Sequence, residues 1–180
     1  MKRIAVIAGL LAAIAGPAFA QEPGAAPVPP AVRALAGCWQ GDGQVMGKPV
    51  TMTLSAGPVA ENALFVVDAK SQATADPTDR YAAHLIFAGR TRPKDVVGEE
   101  SAITSFWADS FGGDYTSTGT GAAKPDAFAV SYPYGDQSFV NLWRLAGDKL
   151  SWTIVVRDKA GKEETFAAYA LTRAACHGGA

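Results

Sequence analysis

Histidine and cysteine are scarce in this sequence of 180 residues, which contains two of each. A cysteine nucleophile needs an adjacent base, and the sequence places neither His84 nor His177 beside Cys38 or Cys176. Two cysteines and two scattered histidines do not make a convincing four-ligand zinc site. The G-x-S-x-G, P-loop and H-E-x-x-H motifs are also missing. The sequence therefore predicts no catalytic residues and no metal site.

Long apolar runs are absent after the first twenty residues. Those residues begin with Lys2 and Arg3, continue with an apolar run over residues 4–15 and end with Ala18-Phe19-Ala20. This order is typical of a cleaved secretory signal, and the run is shorter than the roughly 20 residues of a membrane anchor. Cleavage near Ala20/Gln21 leaves no cysteine for a lipoprotein anchor. We therefore expect export to a bacterial periplasm or the extracellular space, with no transmembrane anchor in the mature chain.

The sequence also lacks a strong net charge. Removing Lys2 and Arg3 with the signal leaves 14 basic and 17 acidic residues, a net charge of −3. The densest basic patch, residues 90–94, contains Pro93 and is followed by Asp95, which indicates a solvated turn. Nucleic acid and anionic membranes attract strongly basic proteins, so we expect neither as a partner.

Helical patterning is missing as well, apart from one turn around residues 30–35. Residues 21–34 are rich in proline and alanine and are predicted to be a flexible leader. From residue 35 onward, apolar and polar residues alternate in short segments with turn residues between them, as in half-buried strands. Clear examples are Val50/Met52/Leu54 and Leu150/Trp152/Ile154.

About ten such strands are predicted, joined mostly by tight turns. A sheet this wide curls or splits, and closure removes its exposed edges. The fold prediction is therefore all-β: an antiparallel up-and-down barrel of about 8–10 strands, with a β-sandwich as the alternative. It forms a single domain over residues 35–176, followed by a tail over residues 177–180.

Two pairs of residues connect the first strand to the last. Cys38 and Cys176 are predicted to form a disulfide, because two thiols usually pair in an oxidising compartment. Trp39 points to the opposite face from Cys38, and Arg173 shares the parity of Tyr169 on the last strand. We expect the Arg173 guanidinium to stack on the Trp39 indole and cap one end of the barrel.

Short motifs in these strands resemble a known group of barrels. Gly37-x-Trp39-x-Gly41-x-Gly43 opens the domain, and a basic residue, Arg173, closes its last strand. This pattern is similar to the lipocalin-like (calycin) barrels, and in particular to the bacterial domain of unknown function 1579. Pro49, the stretch 106–112 (FWADSFG) and the stretch 169–173 (YALTR) extend that similarity. More distantly, the opening motif resembles the nitrobindin-like haem barrels.

The resemblance also limits the cofactor. Haem-binding relatives place a histidine on the final strand, before the closing arginine, whereas residues 163–173 (EETFAAYALTR) contain none. We therefore expect no cofactor, and no haem in particular.

The main functional hypothesis is an exported binding protein that holds a small apolar or amphipathic molecule inside the barrel. Two alternatives stay open: a non-enzymatic envelope or interaction module with a filled core, and a small hydrolase or isomerase using Asp68, Asp109 or His84 in one cavity. The candidate ligand-binding residues in the interior are Trp39, Phe65, His84, Trp107, Asp109, Tyr132, Trp143, Trp152 and Tyr169.

Overall fold

The computed structural model of the chain describes residues 26–91 and 101–176. One short helix precedes ten strands, and a 3₁₀ turn lies between the fifth and sixth strands. The elements are α1 (Pro30–Arg33), β1 (Gly37–Val45), β2 (Lys48–Val59), β3 (Leu64–Ala73), β4 (Arg80–Gly89), β5 (Ser101–Asp109), the 3₁₀ turn (Gly113–Tyr115), β6 (Ser117–Lys124), β7 (Ala127–Tyr134), β8 (Gln137–Ala146), β9 (Lys149–Arg157) and β10 (Glu163–Ala174).

The ten strands form one closed antiparallel barrel in which each strand pairs with its neighbours along the chain. β1 and β10 close the circle in a register that places Trp39 opposite Arg173 and Val45 opposite Ala167. The predicted up-and-down barrel is therefore confirmed, and the sandwich alternative is wrong. Closure leaves every strand paired on both sides, so no sheet edge is exposed.

Strand alternation divides the barrel into an apolar interior and a polar exterior. On β2, for example, Val50, Met52 and Leu54 are buried while the residues between them are exposed. Most buried apolar side chains form one continuous cluster, which extends along the barrel from the end where β1 begins. We call the end where β1 begins the closed end.

The segment before β1 covers the closed end. Val28, Ala31, Val32 and Leu35 are at most 2% exposed and belong to the core cluster. The expectation of a flexible leader through residue 34 is therefore wrong for residues 28–34, because this stretch packs its apolar side chains into the barrel.

Arg173 and Trp39 hold that segment in place. The guanidinium donates hydrogen bonds from Nη1 to the Ala36 carbonyl at 2.8 Å and from Nη2 to the Ala34 carbonyl at 3.0 Å. Its central carbon lies 4.3 Å from the centroid of the Trp39 ring. The Trp39 indole nitrogen in turn donates to the Leu35 carbonyl at 2.8 Å. The carbonyl groups after α1 are thus satisfied by side chains from β1 and β10.

A disulfide joins Cys38 to Cys176 beside the same seam, with the two α-carbons 5.2 Å apart. The predicted pairing is confirmed. The predicted signal and tail lie outside the described residues. None of the helices in the described ranges is long and apolar enough to cross a membrane.

Candidate functional site: an aromatic cavity at the open end of the barrel

A cavity of about 590 Å³ opens at the end of the barrel opposite α1. This open end is formed by the β1–β2, β3–β4, β5–β6, β7–β8 and β9–β10 connections. Its volume lies within the range of about 300–1,000 Å³ that small-molecule sites occupy. The lining residues are Val45, Met46, Lys48, Val50, Ser71, Ala73, Asp79, Tyr81, Trp107, Asp109, Phe111, Tyr115, Ser117, Tyr132, Pro133, Tyr134, Phe139, Trp152, Ile154, Phe166 and Tyr169.

Four aromatic rings, each in contact with the next, form the floor of the cavity. Trp107 meets Tyr132 edge-to-face with ring centroids 5.4 Å apart, and it meets Trp152 at 6.1 Å. Trp152 also contacts Tyr169 at 5.0 Å. Below the floor, Trp152 stacks on Trp143 at 4.3 Å, which joins the cavity to the filled closed end. Such ring pairs are favourable beyond their buried area, so the floor is a fixed surface.

Asp109, the last residue of β5, accepts three hydrogen bonds in the cavity wall. Its Oδ2 accepts hydrogen bonds from the Tyr81 hydroxyl and from the Trp107 indole nitrogen, both at 3.0 Å. Its Oδ1 accepts from the Phe111 backbone nitrogen at 2.9 Å, which fixes the turn after β5. The three donors are neutral, and the side chain is half-buried.

Tyr169 completes the floor of the cavity. The residue is only 6% exposed, and its hydroxyl group, which bonds to no residue in the described ranges, is not among the buried polar atoms that lack a partner, so its oxygen is accessible to water. Gly43 lies opposite it on β1, and a β-carbon at Gly43 would fall 2.4 Å from the Tyr169 ring. The missing side chain at Gly43 therefore allows the Tyr169 ring to lie against β1.

Burial keeps three tyrosines of the cavity protonated at neutral pH. Desolvation raises the pKa of Tyr169 to about 12. Desolvation also raises the pKa of Tyr81, and the Asp109 charge and its hydrogen bond raise it further, with a smaller contribution from Tyr169. Burial raises the pKa of Tyr132 too, although the hydrogen bond to Ser105 opposes the shift. All three groups remain neutral, since burial disfavours the charged form.

The mouth of the cavity is apolar although it faces water. Met46 is 74% exposed and Phe111 is 68% exposed, and Tyr115 and Tyr134 are also exposed. Phe111 contacts Tyr115, which stacks on Tyr134 with ring centroids 6.2 Å apart. Lys48 and Asp79 are the charged residues that line the mouth, and both are exposed.

The predicted ligand-binding residues fall in three places. Five of them line the cavity: Trp107, Asp109, Tyr132, Trp152 and Tyr169. Trp39, Phe65 and Trp143 are buried in the interior but do not line it.

His84 lies on the outer face, where its side chain is 71% exposed and pairs with Asp68. Its predicted interior position is wrong. On β4, the side chains of Tyr81 and Ala83 point into the barrel. Asp109 lies opposite Ala83 on β5, so its side chain points inward as well. Asp68 and His84 therefore do not share a cavity with Asp109.

Sequence reasoning missed several lining residues, including Tyr81, Phe111, Phe139 and Phe166. Tyr81 stands two residues before the inward Ala83, so the alternation contained a signal for it. Phe166 had no such signal, because a register shift between Thr165 and Ala167 breaks the alternation of β10.

Within residues 26–91 and 101–176, no three histidine, cysteine, aspartate or glutamate side chains come close enough together to hold a metal ion. His84 is the histidine within these ranges, and it lies outside the barrel.

Comparisons with known proteins do not assign the chain to a family. No protein-family model matches it, and no curated protein matches it. The closed ten-strand barrel is compatible with a lipocalin-like fold, while the resemblance to domain of unknown function 1579 and to the nitrobindin-like barrels receives no support from a family match.

Proposed function

We propose that this chain is an exported lipocalin-like protein that binds a small apolar or amphipathic molecule in its open-end cavity. The observation that carries the proposal is the aromatic cavity of about 590 Å³. Apolar walls with a few convergent polar groups are the usual composition of ligand sites. The export component rests on the signal pattern of the first twenty residues.

The exposed apolar mouth supports ligand entry at this end. Scattered apolar residues on a surface are ordinary, whereas contiguous ones often mark binding sites. The aromatic chain from Tyr134 through Phe139 to Phe166 continues from the mouth into the cavity, with ring centroids 5.9 and 5.2 Å apart. A ligand with apolar surface therefore meets favourable contacts from the entrance inward.

The two other hypotheses are less compatible with the described residues. A module with a filled core would leave no cavity larger than a few water molecules. One water molecule needs only about 10–15 Å³ of such space, whereas the open-end cavity has a volume of about 590 Å³. The proposed hydrolase or isomerase would need Asp68, Asp109 or His84 in one cavity. Asp68 and His84 pair on the outer face instead.

The first test fills the cavity. Val45→Trp adds an indole to a lining residue, and Gln44→Trp adds the same group on the exposed face of the same strand. Binding of the neutral fluorescent probe N-phenyl-1-naphthylamine is measured by titration. We expect Val45→Trp to weaken binding by about tenfold, or ~1.4 kcal/mol, while Gln44→Trp stays within about twofold of the original protein.

Two results would contradict the proposal. Failure of the original protein to bind this probe or any other apolar probe would argue against a ligand site. Equal binding by the original protein and Val45→Trp would place the probe outside the cavity.

A further inference from the structure

We infer that the ligand of this cavity carries a positively charged nitrogen held beside Asp109, so that it is an amphipathic organic cation. This inference rests on the proposed function, because it specifies the chemistry of the molecule in the same cavity. It follows from the charges and the aromatic faces of the cavity wall.

The first step concerns charge. Asp109 is half-buried in the wall, and no lysine, arginine or histidine of the described ranges forms an ion pair with it. Lys48 also lines the cavity, but it is exposed at the mouth, together with Asp79 of opposite charge. A carboxylate removed from water is stabilised by a cation more than by neutral donors alone. The missing countercharge is one that a ligand can bring.

The second step concerns acceptor capacity. An ionised carboxyl group accepts hydrogen bonds only, at about four positions. Asp109 accepts three: two at Oδ2 and one at Oδ1. One acceptor position at Oδ1 is therefore left for a further donor.

The third step concerns the surrounding rings. Trp107 donates its indole hydrogen to Asp109, and Tyr81, the other side-chain donor, contacts Phe111 with ring centroids 5.6 Å apart. Aromatic faces attract cations, and tryptophan is the strongest of them. A carboxylate among aromatic rings is therefore suited to an ammonium group and unsuited to a second anion.

The last step places the rest of the ligand. Four strands lie between β5 and β10 in either direction around the barrel, so the two strands lie on opposite sides. Asp109 and Trp107 belong to β5, whereas Phe139, Ile154 and Phe166 belong to β8, β9 and β10. The cation lies at the β5 wall, and the apolar body lies against the β8–β10 wall.

The experiment compares four probes that share a decyl chain: decylammonium, decyltrimethylammonium, decanol and decanoate, each below its micelle concentration. Their affinities are measured by isothermal calorimetry at low ionic strength. We expect the two cations to bind at least about tenfold more tightly than decanol and decanoate, a difference set by charge. Raising the salt concentration should reduce this preference.

Two variants locate the effect. Asp109→Asn should reduce the ratio of cation to decanol affinity towards one, whereas Asp42→Asn, on the exposed face of β1, removes the same charge and should leave the ratio unchanged. If Asp109→Asn does not fold, the comparison of the four probes and its salt dependence in the original protein still test the inference.

The outcomes separate this inference from the proposed function. If decanol or decanoate binds as tightly as the cations, the inference is wrong while the proposed function stands. A cation preference that persists in folded Asp109→Asn also overturns it. If no decyl probe binds and N-phenyl-1-naphthylamine does not bind either, the proposed function itself fails.

Discussion

Arg173 connects three parts of the closed end through one side chain. Its guanidinium stacks on Trp39, donates to the carbonyls of Ala34 and Ala36, and lies 3.4 Å from Asp148. Asp148 is largely exposed, so its ion pair adds little. The two carbonyl bonds are charge-assisted and bind the segment after α1. Arginine is suited to this position because its planar group stacks and donates at once.

Tyr169 makes stability depend on pH in the alkaline range. Its pKa is about 12 in the folded protein and about 10 in the unfolded chain. Between these values the unfolded chain releases a proton that the folded protein retains, so stability falls as the pH rises from 10 to 12. Below pH 10 the contribution is fully present.

The first prediction tests this dependence with Tyr169→Phe. Between pH 9 and pH 11 we expect the original protein to lose about 1–2 kcal/mol more unfolding free energy than the variant, since one pKa unit corresponds to about 1.4 kcal/mol. Urea unfolding followed by tryptophan fluorescence measures both. Equal losses in the two proteins would contradict the assignment of this effect to Tyr169.

Individual site residues were predictable where alternation was regular. The parity of Leu150, Trp152 and Ile154 on β9 placed Trp152 in the interior, where the structure has it. His84 lies among Ala82, Ala83 and Leu85, and both parities of this stretch are apolar. The sequence around His84 therefore does not show which face of the barrel its side chain takes. The position becomes clear only in the folded structure, where His84 lies opposite Asp68 on β3.

At the scale of elements, α1 is the part for which composition predicted a flexible segment instead of a packed helix. Proline and alanine are typical of flexible segments, and α1 has four residues, too few for a helix that is stable alone. It forms because Val32 and Leu35 are buried in the core cluster and because Arg173 and Trp39 bond to the carbonyls that follow. The tertiary contacts, which composition does not encode, outweigh the local tendency.

The second prediction concerns this helix. Val32 is completely buried, while Arg33 next to it is exposed. We expect Val32→Ala to lower the unfolding free energy by about 2 kcal/mol, because two methyl groups are lost and a cavity remains. Arg33→Ala should change it by less than about 0.5 kcal/mol.

Urea unfolding of the two variants measures the difference. Equal stability of Val32→Ala and Arg33→Ala would show that α1 does not contribute to the core. Because α1 lies at the end opposite the cavity, N-phenyl-1-naphthylamine should still bind folded Val32→Ala.

At the scale of the whole molecule, the barrel has two ends with different properties. The closed end is filled by the segment before β1 and by large side chains such as Trp39 and Trp143. The open end keeps its cavity. Strand count and turn positions predicted the closed barrel, since every strand pairs with its sequence neighbour. The volume of the cavity was not predictable, because it depends on how the ring of Trp152 packs against those of Trp107 and Tyr169.

The seam between β1 and β10 is the one long-range closure of the barrel, and the disulfide stands beside it. Cys38 and Cys176 are 138 residues apart. Linking residues this distant restricts the unfolded chain and is worth about 4–5 kcal/mol on chain-entropy grounds, less any residual structure in the unfolded state. The bond lies at the closed end, away from the cavity.

The third prediction removes this bond with the double variant Cys38→Ser/Cys176→Ser. We expect its unfolding free energy to be lower by up to about 5 kcal/mol, measured by urea unfolding. Reductant should bring the original protein towards the variant and leave the variant unchanged. Under conditions where the variant is folded, its affinity for N-phenyl-1-naphthylamine should stay within about twofold of the original, an energy difference below ~0.5 kcal/mol. Unchanged stability would show that β1–β10 pairing alone closes the barrel, whereas a lost cavity in the folded variant would show that the two ends are coupled.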